Sequence, residues 1–283
     1  MLKKNLALSI VIVAAMLVPI GGNTSPASDC NISIESLIAM PDAKLIKLPQ
    51  ETLQTVLDNV SKEGVLKSYK LKDLRRITDQ YSLNAYQNMV DEIGSKPPDL
   101  LRASSLAVGS SASVSLANDG DCGYAHWGVC GLDCDYNGEI GEARIWAGPG
   151  YGSADAWAMT GHTFCMTGQG YGFYKIKMNC EWACGSLSSG NSILSLWVEE
   201  WRDGNYDQHS FLIDEYSSFY GYHSDSFEHS IPSYVMLYAD ATYRFSLHVL
   251  TTGTAFLFDV VEADCMAGGL EACWDYLSLE YMG

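Results

Sequence analysis

Residues 133–144, DCDYNGEIGEAR, set Asp133, Asp135 and Asn137 at alternate positions ahead of Gly138, with Glu142 close behind. Four oxygen-bearing side chains so near one another repel unless a cation sits among them, and hard oxygen donors at this spacing suit calcium. Asp133, Asp135, Asn137 and Glu142 are therefore candidate ligands of a structural calcium ion, one that fixes a loop rather than catalyses. The same residues also fit a tight hairpin, because Asn137-Gly138 favours a two-residue turn and aspartates bond their own loop backbone. A second stretch, SILSLWVEEWRDGNY, reads as a strand with Ser195, Trp197, Glu199 and Trp201 on one side and Leu194, Leu196 and Val198 on the other. Trp197 and Trp201 flanking Glu199 could form a platform on which a sugar ring stacks while the carboxylate accepts its hydroxyl hydrogen bonds. The alternative turns the tryptophans into the core. Tyr216, Phe219, Tyr220 and Tyr222 in EYSSFYGYHSD add to an adhesive surface.

In EF-hand terms, Asp133, Asp135 and Asn137 take the first, third and fifth loop positions, Gly138 the sixth, the Glu139 carbonyl the seventh and Ile140 the apolar eighth. The twelfth, which should be a bidentate glutamate, is Arg144. Residues 131–142, GLDCDYNGEIGE, are more similar to the short calcium loop of the excalibur family, D-x-D-x-D-G-x-x-C-E, with Asn137 for the third aspartate and Gly141 for the cysteine. The resemblance covers those residues and nothing else in the chain. It implies the same four ligands, and Gly141 removes that loop's usual disulfide.

Signals for catalysis are weaker. Glu199 and Glu200 are adjacent, so on a strand they point to opposite faces and cannot converge across one glycosidic bond. LWVEEW resembles a strand of the jelly-roll xylanases, without a second motif to supply the acid. His162, His209, His223, His229 and His248 lack the H-E-x-x-H spacing, and there is no G-x-S-x-G. A non-catalytic module is the preferred reading.

The elements that must position these residues divide the chain in two. Lys3 and Lys4 precede an apolar run, Leu6 to Ile20, followed by glycines and a polar stretch, which is the layout of a secretory signal peptide over residues 1–27. The run is too short to cross a bilayer, so no membrane span is expected once the signal is removed. Residues 28–101 read as a small helical segment. Leu53, Val56, Leu57 and Val60 follow Pro49 at helical spacing, Leu71, Leu74, Ile77 and Tyr81 share a face, and a third helix after Ser82 carries Tyr86, Met89, Val90 and Ile93. This segment is a candidate propeptide, because serine-rich residues 102–121 read as an open linker that proteases would reach.

From residue 122 to 283 the period becomes two. Tyr174, Ile176, Met178 and Cys180 alternate with polar neighbours, as do Tyr243, Phe245, Leu247 and Val249. Further runs near 143–148, 154–160, 193–201, 206–215, 233–239, 255–262 and 274–282 give nine short strands. The expected fold class is mainly β, an antiparallel two-sheet sandwich of jelly-roll type behind a small helical segment.

Charge follows the same division: 12 Lys+Arg face 11 Asp+Glu through Asn118, and 5 face 23 beyond it, giving a net charge of −17. Such a surface repels nucleic acid and anionic lipid, which leaves cations, neutral ligands such as sugars, or basic partners. Eight of the nine cysteines lie in the acidic part, an even number that suggests disulfides in an exported chain; Cys265 with Cys273 and Cys180 with Cys184 are pairings suggested by proximity. Cys130-x3-Cys134 and Cys180-x3-Cys184 are loose spacings for zinc. Together these features describe a secreted or cell-surface binding or adhesion module for a glycan or extracellular partner, calcium-stabilised and with scope for self-association. The alternatives are a filament or surface-layer subunit and a jelly-roll polysaccharide hydrolase.

Overall fold

Leu53, Val56 and Leu57, spaced for a helix, are buried along α3, Gln50–Glu63, in the computed structural model. The structure describes residues 32–63, 69–188, 190–256, 260–266 and 270–283, so the expected signal peptide and Cys30 lie outside the described residues. Two short helices, α1 (Ile34–Ala39) and α2 (Asp42–Leu45), precede α3, and α4 (Leu71–Ser95) follows it. Where the sequence predicts two helices divided at Ser82, α4 is continuous. Leu74, Ile77, Tyr81, Ala85, Met89, Val90 and Ile93 extend one buried stripe past that serine, and packing overrides its capping preference. Arg76 of α4 donates to the Leu37, Ile38 and Met40 carbonyls at 2.9–3.0 Å, which satisfies the open end of α1 and ties the helices together. Among the described residues no helix is long and apolar enough to cross a membrane.

Twelve strands are found among the described residues, rather than nine: β1 (Ser104–Ala107), β2 (Ala112–Val114), β3 (Asp119–Asn137), β4 (Ile140–Thr167), β5 (Tyr171–Leu187), β6 (Asn191–Arg202), β7 (Asn205–Ser217), β8 (Tyr220–Ser230), β9 (Val235–Tyr238), β10 (Thr242–Ala255), β11 (Val261–Cys265) and β12 (Ala272–Tyr281). The serine-rich segment is no spacer. It supplies β1, parallel to the end of β4, and β2, antiparallel to β12, because its alternating small residues can hydrogen-bond to an open sheet edge. The runs expected at 143–148 and 154–160 are parts of the single strand β4. Every other pairing is antiparallel.

The sheet closes on itself in two layers. One runs β3–β4–β10–β6–β7, the other gathers β2, β12, β8 and β9 around β5, and β11 joins them by pairing with both β4 and β5. Leu194, Leu196, Phe245 and Leu247 of the first layer share one core with Tyr174, Met178, Trp182 and Leu277 of the second. Each such side chain contributes about 1.5–3 kcal/mol through burial. The mainly β, antiparallel sandwich expected from the period-two pattern is the architecture found.

The β3–β4 hairpin doubles over within this sandwich. A bulge between Gly128 and Cys130 interrupts β3, Gly128 has φ +72°, and a Cβ there would strike the Tyr151 carbonyl, so only glycine permits the crossing. Beyond the bend the arms meet face to face: a Cβ on Gly141 would lie 3.8 Å from that of Ala158, and Thr160 Oγ1 donates to the Gly138 carbonyl.

The helices are a third layer, packed on the outer face of the first sheet. Met89, Val90 and Ile93 cover Trp157, Met159, Trp197 and Leu250, while α1–α3 and the first half of α4 enclose Trp127 and Tyr151.

In this structure the eight described cysteines are not linked to one another, and the pairings suggested by sequence proximity do not fit the strands. Cys180 and Cys184 are four positions apart on β5, about 13 Å along a strand, against roughly 7 Å at most between bridged Cα atoms. Cys265 and Cys273 register with Ala143 and Ile140 of β4, about 10 Å apart by the same rise.

Candidate functional site

On β6 the alternation expected from the sequence is present, since Ser195, Trp197, Glu199 and Trp201 share the outer side and Leu194, Leu196 and Val198 line the core. The outer side is not open to a ligand in this arrangement, because α4 lies across it. Trp197 is 1% exposed and Glu199 0%. Trp197 stacks on His248 at 4.2 Å, with Trp157 on the other side of that imidazole at 5.9 Å. Glu199 accepts from Arg244 Nε and Nη2 at 2.8 and 2.7 Å, from Ser246 Oγ at 3.2 Å and from Tyr206 at 3.2 Å. Arg244 also reaches Asp119 at 3.1 Å and lies 5.1 Å from the Trp201 ring centroid. Burial alone would lower the Arg244 pKa; the Glu199 and Asp119 carboxylates outweigh it and hold the guanidinium above its ordinary value. Trp201 donates to the Gly94 carbonyl at 3.1 Å, so this row of side chains anchors the end of α4.

The opposite side of the same strand opens at its far end. Val198, Glu200 and Arg202 of β6 register with His209, Asp207 and Asn205 of β7, and directly opposed residues share a face. A two-residue turn joins the strands, with both Asp203 (φ +53°) and Gly204 (φ +76°) left-handed as a primed hairpin requires. This polar row faces Tyr234, Val235, Met236 and Tyr238 across a cleft of about 650 Å³. Glu200 accepts from Tyr243 Oη at 2.8 Å and pairs with Arg202 at 3.1 Å. The Arg202 guanidinium lies 3.7 Å from the Tyr238 ring centroid, a cation–π contact that holds it flat against the wall. Burial, followed by the hydrogen bond to Glu200, keeps the Tyr243 hydroxyl protonated well above its ordinary pKa. Tyr234 is 59% exposed at the rim. The cleft thus presents an aromatic edge beside the held Glu200 carboxylate and Arg202 guanidinium, with the exposed Asn205 amide, Asp207 carboxylate and His209 imidazole at its rim.

The acidic stretch is the tip of the β3–β4 hairpin. Gly138 has φ +58°, and Asn137 registers with Ile140, Asp135 with Glu142 and Asp133 with Arg144. Asp133, Asp135 and Asn137 therefore line one face of β3, with Glu142 directly across from Asp135. Desolvation raises the Glu142 pKa, and Glu271, Asp135, Asp133 and Asp264 add repulsion. Among the described residues no three His, Cys, Asp or Glu side chains close around one point, so the hairpin spreads the four candidate ligands along a face.

Tyr216, Phe219, Tyr220 and Tyr222 fall at the β7–β8 turn. Phe219 and Tyr220 are 81% and 83% exposed, whereas Tyr216 stacks on His223 at 5.1 Å. His223 bonds Asp214 at 2.8 Å, as does the Trp182 indole at 3.2 Å.

Glu200, Arg202, Asn205, Asp207, Tyr234 and Tyr238 were not marked by the sequence. The available signal was the run DGNYDQH, where Asn205, Asp207 and His209 put polar groups on the face that continues from Val198, so the inward side of the hairpin turns wet.

No family model and no curated protein sequence matches the chain. Among solved structures it is similar to the enzymatically active domain of tailspike protein 4 of bacteriophage CBA120, at 8% identity and TM-score 0.24, covering 55% of this chain and 19% of that one. It is similar also to the family 11 carbohydrate-binding module of Clostridium thermocellum in complex with a β-1,3-1,4-mixed-linked tetrasaccharide, at 9% identity and TM-score 0.23, covering 54% and 87%. A third is TmCBM61 in complex with β-1,4-galactotriose, at 8% identity and TM-score 0.21, covering 57% and 88%.

Proposed function

We propose that this chain is a secreted binding module that holds a neutral glycan in the cleft between the β6–β7 hairpin and β9. The observation that carries the reading is the pairing of an exposed tyrosine edge with a row of hydrogen-bonding groups, of which Glu200 and Arg202 are held by each other, Tyr243 and Tyr238. A pyranose ring offers an apolar face to an aromatic side chain and hydroxyls to planar acceptors and donors, and Tyr234 with Glu200, Asn205, Asp207 and His209 supplies both. The net charge of −17 favours uncharged ligands over nucleic acid or anionic lipid. Titration calorimetry against soluble β-glucans and galactans tests it. Tyr234→Ala should weaken binding at least tenfold without moving the melting temperature, and equal affinity in the variant would remove the cleft from the account.

Export belongs to the same proposal, and the N-terminal sequence of secreted material would test it. A calcium ion would relieve the repulsion around Glu142; the hairpin geometry offers it no closed ligand set, so support comes from charge alone. A melting temperature that rises with millimolar calcium and falls back with chelator is the expected result. Self-association would use β8, which among the described residues pairs only with β5 and carries exposed Tyr220 and Tyr222, and would appear as concentration-dependent elution on gel filtration.

One observation favours hydrolysis as a second reading. Glu200 and Asp207 are register partners on the cleft face, so their Cβ atoms lie about 5 Å apart, a separation from which two carboxyl groups can flank one glycosidic bond. Release of reducing ends that Glu200→Gln and Asp207→Asn each abolish, with ligand still bound, would make the protein an enzyme.

A further inference from the structure

Three of the cysteines lie in a single row across four strands, and a fourth packs against its end. Cys134 of β3 registers with Ala143 of β4, and Ala143 with Cys265 of β11. The β11–β5 register pairs Glu262 with Leu187, Ala263 with Ser186 and Asp264 with Gly185, which brings Cys265 opposite Cys184 at the next position. Directly opposed residues point the same way, so Cys184 and Cys265 are side-by-side thiols on the core face, both fully buried.

Cys134 has a different neighbour. The doubled-over β3 sets Gly120 against the ring of Tyr136, and two residues further in on each arm it sets Cys122 against Cys134. The Cys122 thiol lies 3.6 Å from the Cys134 carbonyl oxygen. Burial and then the neighbouring Cys122 thiol raise the Cys134 pKa; at Cys265 the order is the same, burial first and then Cys184. Cys134 and Cys265 are separated by β4, about 10 Å at two strand spacings, so the row forms two pairs rather than one four-thiolate cluster. Cys273 cannot join Cys180, since it registers with Glu181 and shares that residue's outward face, whereas Cys180 is in the core.

We propose that the folded chain carries two disulfides, Cys122–Cys134 and Cys184–Cys265. The first would staple the two arms of the bent β3, and the second would hold β11 to β5 at the seam between the layers. Each forms by exchange with a small disulfide such as oxidised glutathione: one cysteine thiolate attacks it and releases one glutathione thiol, then the partner thiolate displaces the second. Two protein thiols are oxidised, one glutathione disulfide is reduced to two thiols, and one new S–S bond results. Because Cys184 and Cys265 are shut inside the core and burial raises the Cys134 and Cys265 thiols, the exchange belongs to folding, before the core closes.

The test is to refold the full chain from urea in a glutathione redox buffer, block remaining thiols, and map chymotryptic peptides by mass without reduction. Cuts after Tyr124, Trp127 and Leu132 separate Cys122, Cys130 and Cys134, and a cut after Trp182 separates Cys180 from Cys184. The expected result is two linked species, one joining Cys122 to Cys134 and one Cys184 to Cys265. Reduction of this material should lower its melting temperature by roughly 5–10 °C. Complete alkylation of all thiols after refolding, or links joining other cysteines, would overturn the pairing. The outcome does not depend on where the chain resides or on glycan binding, so failure here is distinguishable from failure of the proposed function.

Discussion

Replacing Glu199 by leucine separates the two roles open to this residue, a ligand contact or a structural anchor. Its carboxylate is wholly buried and receives Arg244 at 2.7 and 2.8 Å. With charge centres about 4 Å apart, the attraction is about 4 kcal/mol at an effective dielectric near 20. Removing one partner of a buried pair costs about 3–5 kcal/mol, because the other charge is stranded. Arg244 would keep Asp119 at 3.1 Å, so the lower end, about 3 kcal/mol, is the expected loss. In urea unfolding followed by tryptophan emission, that corresponds to a midpoint roughly 1 M lower for a domain of this size. The paired change Glu199→Leu with Arg244→Met should recover most of it, since neither charge then remains to be desolvated. If Glu199→Leu unfolds within about 0.5 kcal/mol of the wild type while losing glycan affinity, the anchor assignment is refuted and the tryptophan platform on β6 becomes the binding face.

Two buried groups on the same face should give opposing pH dependences. Burial raises the Asp155 pKa to about 7 from 3.8, so the folded state holds a proton that the unfolded state has lost, and stability falls as pH rises from about 4 to 7. Burial, with Arg244 adding to it, lowers the His248 pKa to about 3 from 6.5, so the unfolded state binds the extra proton and stability rises with pH between about 3 and 6.5. The two slopes oppose between pH 4 and 6.5. Asp155→Asn should unmask a rise and His248→Phe a fall, and parallel unfolding curves for both variants would contradict the assignment. Gly94→Leu forces a side chain into the Tyr206 ring and should cost about 1–3 kcal/mol, with tryptophan emission shifted to the red as α4 lifts from Trp157 and Trp197. Cleavage at a protease site inserted after Ser95 should leave the helical and β portions together on gel filtration, because each covers the other's apolar face; separation into two stable pieces would refute that mutual cover.

The period-two runs made the sandwich legible, and the apolar spacing of α3 and α4 made the helices legible, because both patterns record burial on one side of an element. What those faces pack against was not legible. Trp197 and Trp201 fit an exposed platform as well as the floor beneath a helix, and the distinction lies in Met89, Val90 and Ile93, a hundred residues away in sequence. The segment around Ser104–Ala107 and Ala112–Val114 alternates only Leu106, Val108, Ala112 and Val114 with small residues, a short pattern hidden among serines; it becomes strand where β4 and β12 offer open edges and the core takes those side chains. The acidic stretch carried two signals at once; the backbone does turn there, but at Gly138-Glu139 rather than Asn137-Gly138, since Asn137 pairs with Ile140 and of these residues only Gly138 has a positive φ. Asp135 and Glu142, read as candidate ligands, are cross-strand neighbours.

The candidate site depends on one property of β6, which is that its two sides serve different layers. Glu199 and Glu200 differ by a single position and therefore by half a turn of the pleat. One meets Arg244 under α4, and the other meets Tyr243 and Arg202 in an open cleft. A one-residue slip of β6 against β10 would exchange them, turning Trp197, Glu199 and Trp201 into the core and the aliphatic row Leu194, Leu196 and Val198 under the helix. The register is set by both rows together, since only the observed alignment places Arg244 opposite Glu199 while keeping Trp197 and Trp201 out of the core. That register also fixes which carboxylates line the cleft. The anchor and the binding surface are thus linked through one strand: loosening Glu199 should disturb Glu200 without touching any residue of the cleft wall.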